Sequence, residues 1–241
     1  PSVEIQHGSQ GRLHWAYSSW LRIPTEGYEV LPDVFWAWSE ADAAEIDRWA
    51  GATSAHRALA AGNPWFVKSL ELAGAEQASP AAPAVLVTLQ TGLSGEAALE
   101  PILRSAAESP ASWAWTARLH PTMRADEADA VRALLARRAP QVALHTPESE
   151  SIFADLARSS VHVTISSSTV LEAAAMGVRS VLLDPAAEGW FPDLAARGMC
   201  TSATEAGAMS AAIAAAHETR ARPEVAVPPA AGLAHVLGAG G

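Results

Sequence analysis

The stretch VHVTISSSTVLEAAAMGVRSVLLD, Val161 to Asp184, decides how this chain folds. Val161, Val163 and Ile165 put β-branched residues at alternate positions, and Val181, Leu182 and Leu183 form a short apolar run, so both ends read as strands. Between them Thr169 to Met176 suits a helix, with Gly177 where a C-cap falls. Strand, polar turn, helix and strand make a βαβ unit, which crosses over right-handedly in a parallel sheet. The turn then lies at the carboxyl end of the first strand, where α/β proteins bind ligands. Hydroxyls at Ser166, Ser167, Ser168 and Thr169, beside free N–H groups at a helix start, suit a phosphate. A single Ser or Thr there would serve as an N-cap. Four hydroxyls in a row exceed what capping requires, which favours phosphate over capping alone.

The same rhythm extends back to Ala84. Val85–Gln90 is predicted as a strand followed by a loop over Thr91–Gly95, with a helix over 96–109. Ser112–Leu119 is a strand ending at His120-Pro121, Ala125–Arg138 a helix, Val142–His145 a strand and Ser149–Arg158 a helix. Beyond the βαβ unit come a short element over 193–197 and a helix from Thr204 to about Arg220. Strands alternating with helices call for a doubly wound, Rossmann-like parallel sheet. Upstream, Ser2–Gln6 and Val34–Trp38 are strand candidates, and Gly62-Asn63-Pro64 marks a turn. Ser39 is a good N-cap that Asp42 can close, with Ile46 and Trp49 on the apolar helix face. Ala73–Pro83, carrying Pro80 and Pro83, is the linker candidate. The expected domains are 1–72, the end of a second, N-terminal Rossmann-like domain with an interdomain segment; 84–221, the main domain; and 222–241, a Pro-, Ala- and Gly-rich flexible tail.

Composition narrows the partners. With 241 residues, 49% hydrophobic, the chain can fill one sizeable core and is borderline for two. Beginning at Pro1 rather than Met, it reads as processed or truncated. Neither a signal peptide nor an apolar run long enough to span a bilayer is visible, and the single cysteine, Cys200, fits a reducing, cytoplasmic setting. A net charge of −10 argues against nucleic acid. Arg118, His120, Arg124, Arg132, Arg137, Arg138 and His145 nevertheless concentrate basic character mid-chain, either as a solvated helix face or as a local anion site.

The common catalytic signatures are missing: there is no P-loop, no G-x-S-x-G and no metal-ligand spacing, so no metal or cofactor is expected. What remains sits at strand ends. His120-Pro121 follows an apolar strand, and a histidine there can donate to a phosphate, carry a proton or merely finish the strand. Glu172, in the first turn of its helix, can serve the helix dipole or accept both hydroxyls of a ribose. His7-Gly8 closes the first strand, where glycine allows close approach and His7 could act as a base. Trp15, Trp20, Trp36 and Trp38 look exposed enough for a protein partner, though aromatic core packing accounts for them better.

Taken in order, Glu4-Ile5-Gln6-His7-Gly8, Pro32-Asp33, Gly62-Asn63-Pro64, Leu119-His120-Pro121 and Ser166-Ser167-Ser168-Thr169 with Glu172-Ala173 and Gly177 resemble GT-B glycosyltransferases. The likeness is to bacterial enzymes of capsule and surface-polysaccharide synthesis, of the sialyltransferase-like and glycerophosphotransferase-like kinds. The resemblance implies a C-terminal nucleotide-sugar-binding domain and transfer from a nucleotide-activated donor, itself a substrate and not a cofactor, to a saccharide or glycoconjugate acceptor. It carries donor-phosphate contacts to His120, Ser167 and Ser168, ribose contact to Glu172, and a catalytic or phosphate role to His7; Ser166 and Thr169 of the same turn join the expected binding residues, and His120 joins His7 as an expected catalytic residue. It implies a cytoplasmic enzyme that can associate peripherally with a membrane. A non-hydrolysing nucleotide-sugar epimerase shares the layout, and an inactive nucleotide-binding or scaffold module would keep the fold without turnover. The departure is the acidic base of sialyltransferase-like members, for which the chain shows no equivalent.

Overall fold

The structure, a computed structural model, describes residues 2–10, 13, 14, 17, 20, 22–73 and 80–219. Trp15, most of the linker candidate and the tail 222–241 lie outside the described residues. The chain divides into two compact units: Pro1–Ser69, Gly189–Asp193 and Val225–Gly241 in one, Leu70–Glu188 and Leu194–Glu224 in the other.

In the first unit a parallel three-stranded sheet runs β1 (Val3–Ile5), β2 (Val34–Ala37), β3 (Arg57–Ala60). α1 (Glu40–Ala50) crosses between β2 and β3, started by Ser39, whose Oγ accepts from the Asp42 N–H at 3.1 Å. Strand alternation splits the aromatics between two faces. Phe35 packs with Ile46, Trp49 and Ala50, backed by Tyr17, Trp20 and Tyr28, while Val34 and Trp36 pack against Ala61 on the other side. Trp36 is therefore core, only 4% exposed, with its indole N–H donating to the Gly62 carbonyl. Trp20 and Trp38 are half-buried, in line with the core packing that the sequence favours over an exposed partner surface. α2 (Pro64–Ala73) was not expected: Gly62-Asn63-Pro64 is a helix start, with Pro64 at the first position and Asn63 Oδ1 accepting from the Phe66 N–H.

The second unit holds a six-stranded parallel sheet. Its strands are β4 (Ala84–Thr88), β5 (Ala114–Arg118), β6 (Ala143–His145), β7 (Val161–Thr164), β8 (Arg179–Leu182) and β9 (Cys200–Ser202). The order β6-β5-β4-β7-β8-β9 is the doubly wound, Rossmann-like arrangement, with the reversal point between β4 and β7. The unit's helices are α3 (Glu96–Glu108), α4 (Ala125–Arg138), α5 (Ile152–Arg158), α6 (Thr169–Ala175) and α8 (Ala206–Glu218), while the short α7 (Pro192–Ala196) has its first two residues assigned to the first unit and the rest to the second. Because helices cover both faces, the central strands are buried on successive residues rather than alternately: β7 is buried at all its positions, and β4 from Val85 to Thr88. α6 ends in a Schellman motif, with the Val178 N–H on the Ala173 carbonyl at 2.8 Å, the Gly177 N–H on Ala174 at 2.9 Å and Gly177 at φ +72°. That φ is the physical reason for a glycine there.

The basic residues of the middle region do not form an anion site. Arg124 pairs with Asp126, Arg132 with Asp129, Arg137 with Glu96, and Arg138 with Glu96 and Glu100. Arg118 and His145 turn inward to the same buried carboxylate, Asp155, at 2.6 and 2.7 Å. Each of them except His120 pairs with a carboxylate.

Candidate functional site

Consecutive strands bring the candidates of the second unit to one sheet edge. In the order β5, β4, β7, the carboxyl ends lead into His120-Pro121, Gln90–Gly95 and Ile165–Thr169, which straddle the reversal point. Strand spacing of about 4.8 Å separates the His120 turn from the serine turn by roughly 10 Å. His7 lies in the first unit, exposed just past β1, and is not among this group.

Hydrogen-bond direction shows what the site offers. The Thr122 N–H donates to His120 Nδ1 at 3.2 Å, and the Thr122 and Thr91 hydroxyls lie 3.0 and 3.4 Å from the same nitrogen. In the neutral ring Nδ1 is then the acceptor and Nε2 carries the proton, leaving an N–H donor directed away from the local turn. In the serine turn, the Thr169 N–H donates to Ser167 Oγ at 3.2 Å, and Ser167 Oγ lies 3.0 Å from Thr169 Oγ1. The Ser167 N–H reaches Thr164 Oγ1 at 3.4 Å, and Thr164 in turn donates to the Thr88 carbonyl inside the sheet. Ser168, the N-cap of α6, makes no side-chain cap bond and is exposed. The capping function thus falls to Ser167, and Ser168 keeps an uncommitted hydroxyl.

Glu172 is half-buried in the first turn of α6 and bears on both sequence alternatives. A carboxylate serving only the helix dipole would sit in solvent. Instead Glu172 Oε2 is shut off from solvent and has no hydrogen-bond partner, and burial pushes its carboxyl up to about 7. A buried acceptor without a donor is costly unless a ligand supplies one. One helical turn from the serines, it can accept a pair of hydroxyls.

Three further residues shape the site that sequence reasoning did not single out. Gln90 bonds to Ser166 across the reversal point. Thr91 supports His120. Glu127 takes the Gly92 N–H at 2.8 Å and the Ser94 hydroxyl. Gln90 and Thr91 carried a signal, since both follow an apolar strand at its carboxyl end; Glu127 carried none beyond a place in the first turn of α4. Beneath the site His162 is wholly buried in β7, held at 2.8 Å by Thr88 Oγ1 and 2.9 Å by Ser180 Oγ, and burial lowers it to about 3. It is a neutral core residue with both ring nitrogens satisfied. Among the described residues no group of His, Cys, Asp or Glu is placed to hold a metal ion, and no helix is long and apolar enough to cross a membrane.

No protein-family profile matches the chain, and no curated protein matches it. Solved structures do. UDP-GlcNAc 2-epimerase from Neisseria meningitidis bound to UDP-GlcNAc superposes with a TM-score of 0.59 at 15% identity, over 87% of this chain and 61% of that one. The MnaA–UDP co-structure from S. aureus gives 0.57 at 13% identity, over 81% and 56%. A putative UDP-N-acetylglucosamine 2-epimerase from Listeria monocytogenes gives 0.56 at 13%, over 80% and 55%. The chain spans between 55% and 61% of the length of these structures. At such identity the likeness establishes the fold alone: an α/β chain of parallel, Rossmann-like sheets of the GT-B type.

Proposed function

We propose that the chain binds a nucleotide-activated sugar through its second unit and transfers the sugar to a saccharide or glycoconjugate acceptor of a surface polysaccharide. The observation that carries this is the orphaned, buried carboxylate oxygen of Glu172, one helical turn beyond a run of hydroxyls at the reversal point of the sheet. A nucleotide diphosphate supplies what both lack: ribose hydroxyls to donate to Glu172, and phosphate oxygens to accept from Ser166, Ser167, Ser168, Thr169 and the His120 Nε2–H.

In the reaction the bond from the anomeric carbon to the phosphate oxygen breaks, its electron pair moving onto the leaving phosphate. His120 and the serine turn stabilise that charge as it develops. The acceptor hydroxyl forms the new bond to the anomeric carbon as its proton leaves to solvent. No resident metal is required in this scheme, and chelator should leave turnover intact.

Calorimetry tests the site. His120→Ala, and a Ser167→Ala/Ser168→Ala double variant, should each weaken nucleoside diphosphate binding roughly tenfold or more while the chain stays folded. Unchanged affinity in both would remove the proposal. A second reading, epimerisation of the sugar, is favoured by the fold likeness to the Neisseria epimerase across 87% of this chain. Incubation with UDP-sugars and no acceptor separates the two: an epimerised sugar selects the second reading. A folded protein that shows no thermal shift with any nucleotide would point to a scaffold module.

A further inference from the structure

Gln90 leaves β4 and Ser166 leaves β7, the two strands flanking the reversal point, and a side-chain amide joins them. Gln90 Oε1 accepts from the Ser166 backbone N–H at 2.9 Å, and Gln90 Nε2 donates to Ser166 Oγ at 3.3 Å. A backbone N–H can only donate, so the oxygen of the amide must be the end that meets it. The amide orientation is fixed by that bond, and Nε2 must be the end that faces the hydroxyl. A hydroxyl that accepts from Nε2 directs its own proton elsewhere. Gln90 therefore does more than tie two loops: it sets Ser166 as a donor rather than an acceptor at the mouth of the crevice.

We infer that Gln90 is a positioning residue of the anion site, orienting the Ser166 hydroxyl to donate to a phosphate oxygen of the bound nucleotide. This rests on the proposed nucleotide site and assigns a part of it that no motif in the sequence marks. Neutrality is essential to the role. A carboxylate of the same shape keeps the bond to the Ser166 N–H but becomes an acceptor towards the hydroxyl, which then turns its proton inward. It also places a negative charge beside the phosphates.

The test pairs UDP with uridine in calorimetry; if a nucleoside diphosphate panel selects another base, that diphosphate and its nucleoside replace them. Gln90→Glu should weaken the diphosphate about tenfold or more and leave the nucleoside within about twofold. Gln90→Met, neutral and of similar size, should weaken the diphosphate by several-fold. Added to Ser166→Ala, Gln90→Met should cost clearly less than it does alone, because only the Oε1 bond to the backbone N–H of position 166 remains to be lost. A residue that merely held the fold would weaken diphosphate and nucleoside alike and would stay additive with Ser166→Ala. If the wild type binds the diphosphate but Gln90→Glu does not discriminate it from the nucleoside, the role of Gln90 is refuted and the site survives. If the wild type binds no nucleoside diphosphate, the site and this inference fall together.

Discussion

Replacing Glu172 by glutamine should change how stability depends on pH, and the structure sets both sign and size. Burial raises the Glu172 carboxyl from 4.5 to about 7 in the folded chain. The folded state therefore keeps its proton where the unfolded state has released it. The contribution of Glu172 is fully favourable below 4.5 and is lost as pH rises through about 7. At about 1.4 kcal/mol per pH unit, the loss is on the order of 3 kcal/mol. The wild-type profile alone will not show it, because His162 works in the opposite direction. Burial lowers that histidine from 6.5 to about 3, so the unfolded state binds the extra proton and stability rises with pH across that range. Where the two windows overlap the slopes cancel, and only a difference between variants isolates Glu172. Urea unfolding of wild type and Glu172→Gln at about pH 5 and about pH 8 makes that comparison. Glutamine mimics the protonated acid, so the two proteins should differ by at most about 1 kcal/mol at the lower pH. At the higher pH the variant should be more stable by about 3 kcal/mol. A stability difference that is the same at both pH values would refute the assignment of Glu172 as a buried, unpartnered carboxylate.

Two more outcomes concern the buried charges at Glu172 and at Asp155. If ribose hydroxyls donate to ionised Glu172, nucleotide binding must expel its proton; affinity should fall about tenfold per pH unit below 7 and level off above it. Calorimetry in buffers of different ionisation enthalpy should register the released proton, and Glu172→Gln should bind more weakly with this pH-dependence removed. Asp155→Asn should destabilise the chain by about 3–5 kcal/mol in urea unfolding, because it strands the buried Arg118 guanidinium without its countercharge. A loss under about 1 kcal/mol would mean that Arg118 finds another partner.

The βαβ unit was legible because several local signals agree: β-branched residues at Val161 and Val163, a polar turn, and a glycine whose φ of +72° no other residue adopts cheaply. Elements with weak local signals escaped. β3, Arg-Ala-Leu-Ala, carries no β-branched residue and is a strand because it pairs with β2. β9 is three residues at the sheet edge, held by β8. α2 was concealed by its own start, since Asn63-Pro64 marks a turn and a helix N-terminus equally well. At the site, residue types in strand-end positions were enough to nominate His120, the serines and Glu172. The direction of their hydrogen bonds was not legible, because it depends on neighbours far away in sequence, such as Gln90 for Ser166. The basic cluster left two alternatives open for a related reason: charge along the chain says nothing about which carboxylates fold against it.

One question is why an anion should settle at the serine turn rather than at the β4–α3 loop, the turn that holds the phosphates in dinucleotide-binding Rossmann folds. The loop has features of such a cradle, with Gly92 at φ +78° and its N–H pointing inward. Yet the cradle is already filled. Glu127 accepts from the Gly92 N–H and the Ser94 hydroxyl, and those bonds hold its carboxyl below the usual carboxylate range, so it stays ionised at ordinary pH. A phosphate entering there would meet a fixed negative charge and find its donors taken. Across the reversal point the balance is reversed: Ser166 faces a neutral amide and Ser168 keeps a free hydroxyl. On the proposed function, the first loop repels the phosphates that the serine turn accepts, and the nucleotide takes the side of the reversal point that carries Glu172.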